Sequence, residues 1–387
     1  MPTRTYKEII DLIRTIFNKP EGIIPLHEPA FTGNEKKYLQ DCVDSTFVSS
    51  VGEYVDRFEM LLADYTRSTY AVATVNGTAA LQIALELAGV NPGDEVITQP
   101  LTFIATANAI SYCRAHPVFI DVDRDTMGLS PEKLDDFLAR FAKYDAKLKK
   151  CINRQTLKPI AAVVPMHTFG NPCRIDEIVE IAGRYHIPVV EDAAESLGST
   201  YKKRHTGTFG LIGVLSFNGN KIITTGGGGM ILTGDPEIAG KAKHLTTQAK
   251  VPHPWEFVHD AVGYNFRLPN INAALGVAQI EMLDTFISNK RKTAAIYSNF
   301  FSNSDILYNH EIDHSRSNCW LNAIRLGSRE ERDAFLTVTN SEGIKTRPVW
   351  TLMNKLPMYA RCQAVDLVHA YDLADRVVNL PSSYIKS

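Results

Sequence analysis

Residues 71–88 read AVATVNGTAALQIALELA: a β-rich run stops at Asn76-Gly77 and continues as a helical pattern carrying Ala79, Ala80, Ile83, Ala84 and Leu87. A strand that turns over a glycine straight into a helix is the unit from which helix-covered parallel sheets are built. The same rhythm continues downstream. Strands are predicted at 95–98, 118–122, 160–165, 189–192, 213–217 and 230–232, with helices at 104–113, 131–141, 175–186 and 236–245. The alternation predicts an α/β fold whose mostly parallel sheet is sandwiched by helices in a large domain.

Past residue 250 the rhythm changes. Val251-Pro252-His253-Pro254 and Arg267-Leu268-Pro269-Asn270 break an irregular segment, and one long helical pattern then runs from 271 to about 301. Shorter elements follow at 320–326, 329–342 and 377–380. The expected division is 1–250, an N-terminal segment with the large α/β domain, and 251–387, a smaller C-terminal α+β domain. Near the start, Ile9, Ile10, Ile13, Ile16 and Phe17 recur at helical spacing within 1–19, which predicts an amphipathic helix and not a signal peptide. The Lys-rich segment 143–155 reads as a solvated surface insertion.

The 387 residues are 44% hydrophobic and 22% charged, an ordinary globular balance long enough for two domains. Lys+Arg 41 against Asp+Glu 43 lacks the basic excess that binding nucleic-acid phosphates requires. No run approaches the roughly 18 apolar residues that span a bilayer, so neither nucleic acid nor a membrane is expected as a partner. Cys42, Cys113, Cys151, Cys173, Cys319 and Cys362 are scattered without a C-x-x-C pair. That spacing argues against a disulfide framework or a zinc site, and predicts a reducing, cytoplasmic setting.

Three places can carry chemistry, each at the C-terminal end of a predicted strand, where open α/β sheets bind ligands. Asn76-Gly77-Thr78-Ala79-Ala80 brings free N–H groups of a helix start to a close backbone approach, which suits an anion such as phosphate. Val189-Val190-Glu191-Asp192 ends an apolar strand in two carboxylates. An acid there either caps a helix or pairs with a cationic ring nitrogen. Ser216-Phe217-Asn218-Gly219-Asn220-Lys221 puts an amine in a turn, followed by Gly226-Gly227-Gly228-Gly229. The glycine run lacks the G-x-G-x-x-G spacing and precedes a strand, so it is not a dinucleotide fingerprint. An anion cradle, a strand-end acid and a turn lysine, in that order, are the parts of a pyridoxal-phosphate site.

With these motifs, the chain resembles the DegT/DnrJ/EryC1/StrS group of sugar-nucleotide aminotransferases, pyridoxal-phosphate enzymes of fold type I, over about 24–380. The resemblance also rests on Thr102-Phe103-Ile104-Ala105-Thr106-Ala107-Asn108, His167-Thr168-Phe169-Gly170, Glu191-Asp192-Ala193-Ala194 and Gly263-Tyr264-Asn265-Phe266-Arg267. It implies that Lys221 carries the cofactor as a Schiff base and moves the proton, while Asp192 pairs with the ring nitrogen. It further implies that Gly77, Thr78 and Ala79 hold the phosphate with the Ser216 hydroxyl, that Phe103 stacks on the ring and that Ala194 lines its other face. Asn265 would reach the phosphate of a neighbouring subunit, which implies a homodimer with shared active sites. Phe103 as plain core, Asn265 as a loop residue and His167 as a hydrogen-bonded core histidine stay open as alternatives.

Two positions depart from the group's pattern. Glu195 stands where many members have a glutamine near the ring oxygen, and Gly227 where many have an acid. Lysine at position 221 marks transaminases, whereas histidine marks the group's dehydratases. The stretch 216–221, the four glycines and Thr346-Arg347-Pro348-Val349-Trp350 resemble a subgroup that aminates the 4-keto carbon of nucleotide-linked 2-acetamido-2,6-dideoxy sugars, on routes to bacterial surface sugars such as legionaminic acid and bacillosamine. The resemblance therefore implies a ping-pong transfer from L-glutamate to a UDP- or GDP-linked keto sugar. Its rivals are amination at C3 or of a sugar without the N-acetyl group, and a cofactor-binding regulator without turnover.

Overall fold

In the computed structural model, which describes residues 5–386, the predicted strands assemble into one continuous sheet. Among the described residues its seven central strands run in the order Tyr70–Thr74, Gly229–Thr233, Ile212–Ser216, Val190–Asp192, Pro159–Val164, Glu95–Thr98 and His116–Ile120. The join between Val190–Asp192 and Pro159–Val164 is made by Val163 N–H donating to Pro188 and Asp192 N–H donating to Pro165. Gly229–Thr233 is antiparallel to both of its neighbours, and the other central pairings are parallel. The exception has a local cause. The segment 217–228 folds straight back and never crosses the sheet, so the strand that follows must run the other way.

Successive residues of a strand face opposite sides, and both sides of this sheet are covered. Val96, Val164 and Ile212 pack with Ile83, Ala84, Ala109 and Ala242 of the helices Gly77–Leu87, Ile104–Tyr112 and Pro236–Thr246. Their neighbours Ile97 and Val163 pack on the other side with Leu134, Phe137, Ile178 and Ala182 of Pro131–Phe141 and Ile175–Arg184. Further along that second side, Leu215 and Met230 meet Phe58, Leu62, Ala273 and Val277. These come from Glu53–Thr66, a helix absent from the sequence reading, and from Asn270–Glu281.

Two sequence expectations are corrected. The helical pattern at 271–301 is two helices, Asn270–Glu281 and Leu283–Phe301, separated by the single turn residue Met282 (φ −102°, ψ −3°). The first packs against the large sheet's helices, and the second buries Lys290, Ala294, Tyr297 and Phe301. Segment 143–155 is solvated over most of 143–149, as expected, but it is not a loop. Ala142–Asp145 and Lys150–Asn153 form an antiparallel hairpin whose second strand joins Pro159–Val164. Its alternation buries Cys151 and Asn153, the latter donating to Glu95 (2.7 Å), and leaves the other side chains of Lys150–Asn153 only partly covered.

The C-terminal elements build a second, antiparallel sheet in the order Leu307–Tyr308, Asn322–Arg325, Val377–Leu380, Arg347–Pro348. The amphipathic helix predicted near the start is found at Tyr6–Ile16, begun by a reciprocal Thr5–Glu8 cap. Positions 1–4 of the predicted segment lie outside the described residues. Ile9, Ile10 and Ile13 pack with Ile324, Phe335 and Val378, so the earliest residues share a core with the last ones. Among the described residues no helix is long and apolar enough to cross a membrane.

Candidate active site

The C-terminal ends of Tyr70–Thr74, Val190–Asp192 and Ile212–Ser216 open onto a cavity of about 310 Å³. Its anion end follows from the turn at Asn76. The Asn76 side chain caps the helix Gly77–Leu87 by accepting the Ala79 N–H (2.8 Å). Among the described residues the N–H groups of Gly77 and Thr78 have no partner, and both residues line the cavity beside Ser216. Free amides at the positive end of a helix form a site for a phosphate dianion. Glycine at 77 is a packing requirement, because a Cβ there would lie 2.8 Å from Ser216 Cβ. Gly229 has the same standing, since its Cβ would sit 2.6 Å from the Asn76 carbonyl. Gly226 supplies a left-handed turn (φ +79°), whereas a Cβ at Gly227 would meet nothing closer than the Val75 carbonyl at 3.8 Å. Ala79 is a correction: its N–H is used by the cap, and it is not on the cavity wall.

The two strand-end carboxylates separate by the strand's own alternation. Glu191 faces the interior, where it accepts the N–H groups of Gly207 (2.7 Å), Phe209 (2.6 Å) and Gly210 (2.7 Å) and meets His167 Nε2 at 3.0 Å. His167 is fully buried and away from the cavity wall. Burial alone would push its pKa down, and the Cys173 and Glu191 contacts raise it above the usual histidine range. Asp192 faces the cavity. One oxygen accepts the Thr106 hydroxyl (2.7 Å) and the other the Ala194 N–H (3.2 Å), which fixes the carboxylate plane. An aimed, buried carboxylate can hold a proton on a pyridine-type nitrogen.

Lys221 stands in the turn after Ile212–Ser216, its N–H donating to Asn218 (3.0 Å) and the adjoining Ile222 and Ile223 buried in the core. That anchoring aims the side chain inward. Its Nζ meets Glu195 Oε1 at 3.2 Å and lies 4.3 Å from the ring centre of Trp320. The second Glu195 oxygen accepts the Phe169 N–H (2.9 Å). Burial pushes the Glu195 carboxyl up, against the opposing pull of Lys221 and that N–H.

Phe103 is half exposed on the cavity wall, its ring 6.2 Å from that of Trp350, so it is not plain core. Ala194 lies on the wall. Asn265 is exposed and outside this cavity, bridged to Thr247. In the late motif Trp350 reaches the wall, while Arg347 is exposed and bonds Asn340 (2.9 Å). The sequence reading gave no role to Trp320, Thr106 or Asn220. Thr106 and Asn220 lie inside the stretches 102–108 and 216–221 quoted above, whereas Trp320 stands in no motif.

The donor set fits pyridoxal phosphate: two free amides and a hydroxyl for the phosphate, a carboxylate for the ring nitrogen, and an amine for the aldehyde. Together with the helix-covered sheet it defines a pyridoxal-phosphate-dependent aminotransferase of fold type I. Residues 29–384 match the DegT/DnrJ/EryC1/StrS aminotransferase family, and the chain belongs to it. It is 38% identical over 359 residues to GDP-perosamine synthase of Escherichia coli O157:H7, covering 93% of each chain. It is 36% identical to the GDP-perosamine synthase of Caulobacter vibrioides, again over 93% of each. Among solved structures, aminotransferase TlmJ from Streptoalloteichus hindustanus superposes with a TM-score of 0.85 at 27% identity, covering 95% of both chains. The chain is thus a sugar aminotransferase, and the regulator reading falls away.

Proposed function

We propose that this enzyme moves an amino group from L-glutamate to the C4 keto carbon of a nucleotide-linked 6-deoxyhexose. The reading is carried by likeness, over 93% of the chain, to proteins named GDP-perosamine synthase. That likeness favours a GDP-linked sugar without an N-acetyl group. The 2-acetamido sugar remains the second reading, on the strength of the motifs at 216–221 and 346–350. Phe103 on the cavity wall supports the reading that it stacks on the cofactor ring, and Trp350 beside it supports a sugar at this site, because an aromatic face covers the apolar face of a hexose ring. The exposed Asn265 supports a dimer in which it serves the partner's cavity. Six free cysteines agree with a reducing cytoplasm.

Bound pyridoxal phosphate supplies a ring that takes up the electron pair left when a C–H bond beside nitrogen breaks. Gly77, Thr78 and Ser216 hold its phosphate end, and Asp192 keeps a proton on the ring nitrogen. Lys221 anchors the aldehyde end. Its amino group, when not bound to the cofactor, would carry the proton between the two carbons. Trp320 and Trp350 line the cavity beside it.

A panel of GDP- and UDP-linked 4-keto and 3-keto sugars, with and without the 2-acetamido group, tests the reading. Amination of a 4-keto substrate, lost in Lys221→Ala, is the expected result. Turnover of 3-keto sugars alone would overturn the C4 reading.

A further inference from the structure

The Lys221 amine is enclosed by two groups of opposite character. On one side Glu195 Oε1 meets Nζ at 3.2 Å, with side-chain exposures of 1% for Glu195 and 10% for Lys221. Glu195 cannot turn away freely, because Oε2 is held by the Phe169 N–H. On the other side Trp320 presents its ring face. Trp320 is fixed at three points: its indole N–H donates to Asn220 (2.7 Å), its backbone N–H to Asn318 (2.8 Å), and its carbonyl accepts from Lys290 (3.1 Å). The remaining titratable groups nearby are otherwise placed. Asp192 is bonded to Thr106 and Ala194, His27 stands edge-on to Trp320 at 6.3 Å, and Lys290 lies behind the Trp320 carbonyl.

An ammonium has no electron pair with which to attack an aldehyde, and this amine is largely shielded from water. Its proton needs a neighbouring acceptor. We propose that Glu195 is the acid–base partner of Lys221 when the cofactor is attached, accepting a proton from the ammonium and returning it to the departing oxygen. The proposal rests on the reading of Lys221 as the anchor. Lys221 gives one proton to Glu195, the amine's electron pair forms the N–C bond, and the carbonyl electron pair moves to oxygen. That oxygen takes the Glu195 proton and one from nitrogen and leaves as water. A protonated C=N link remains, and Glu195 is again a carboxylate. Burial of Glu195 raises its affinity for the proton it must briefly hold.

The test follows capture of pyridoxal phosphate by the full-length protein, read by the absorbance of the C=N link over neutral to alkaline pH. Borohydride trapping and peptide mass locate the link. In Glu195→Gln, capture at neutral pH should slow about 100-fold and recover as alkali deprotonates the amine, while competition by inorganic phosphate stays unchanged. Wild-type rates across the pH range, or a uniform slowing without recovery, would overturn the proposal. Glu195→Asp, which withdraws the carboxylate by one methylene, should slow capture less. It decides the matter if the glutamine variant does not fold, and an unaltered rate there would also overturn it. Normal capture without sugar amination would strike the function proposed above and leave this inference standing. A link formed at another lysine would strike the anchor reading itself.

Discussion

Asp192 and Glu191 are neighbours in sequence with opposite tasks, one aimed into the cavity and one tied to three backbone amides. Two-residue alternation requires that they face apart, but only the covering of each side decides which faces the ligand. Asp192→Asn should therefore still bind pyridoxal phosphate while kcat falls about 10²- to 10³-fold, measured by steady-state amination beside cofactor absorbance. A near-normal kcat would remove Asp192 from its role. His205 offers a test in the pH dimension. It is buried, its Nε2 accepts the Gly198 N–H (2.7 Å), and burial lowers its pKa to about 4. The unfolded chain's histidine titrates near ~6.5. The contribution is thus present above that pH and lost as pH falls toward the folded value. Urea unfolding should show stability roughly 2 kcal/mol lower at pH 5 than at pH 7.5 from this group. In His205→Gln that pH difference should shrink, and an unchanged difference would count against it.

At the scale of elements, strand–helix alternation made the sheet readable. The predicted strand at 95–98 coincides with Glu95–Thr98, and the short element expected at 377–380 is the strand Val377–Leu380, because apolar runs bounded by breakers have few other options. The two helices at 270–301 were not separable by periodicity. Helical spacing persists through Met282, and Leu283, Phe286 and Ile287 beyond it share a core with Ala273 and Val277 before it, so the apolar pattern carries no mark of the break. The 143–155 hairpin was obscured by its lysines, whose charge masks the alternation that buries Cys151 and Asn153. The glycine run belongs to this scale too. Gly229 lets Gly229–Thr233 pass against the phosphate turn, so Gly229→Ala must push backbone against backbone at Asn76. Cofactor affinity should weaken at least about tenfold, or ~1.4 kcal/mol, by fluorescence titration. Gly227→Ala, with open space at its Cβ, should change it little; equal losses in the two variants would contradict this packing account.

Across the whole molecule, the first helix and the last strands share one core, and Asn265 lies outside the cavity of its own chain. If a partner's Asn265 completes each site, mixing inactive Lys221→Ala with Asn265→Ala chains should give activity above either parent. In a mixed dimer one site holds Lys221 of one chain and Asn265 of the other. The yield should approach one functional site in a mixed pair, read as amination rate after dissociation and reassociation. No recovery, with mixed pairs demonstrated by mass, would argue that each chain builds its site alone.

Sequence alone sufficed for the alternating sheet, the family, and the two turns that hold Gly77 and Lys221, because these follow from local periodicity and from residues close together in the chain. Tertiary structure alone decided the surroundings of the amine. Trp320 and Glu195 reach Lys221 from separate segments, Phe169 holds Glu195 from a third, and the Asn318 and Lys290 contacts that fix Trp320 span further ones. Contacts of that range form only when segments far apart in the chain pack, and no local spacing in the chain encodes them.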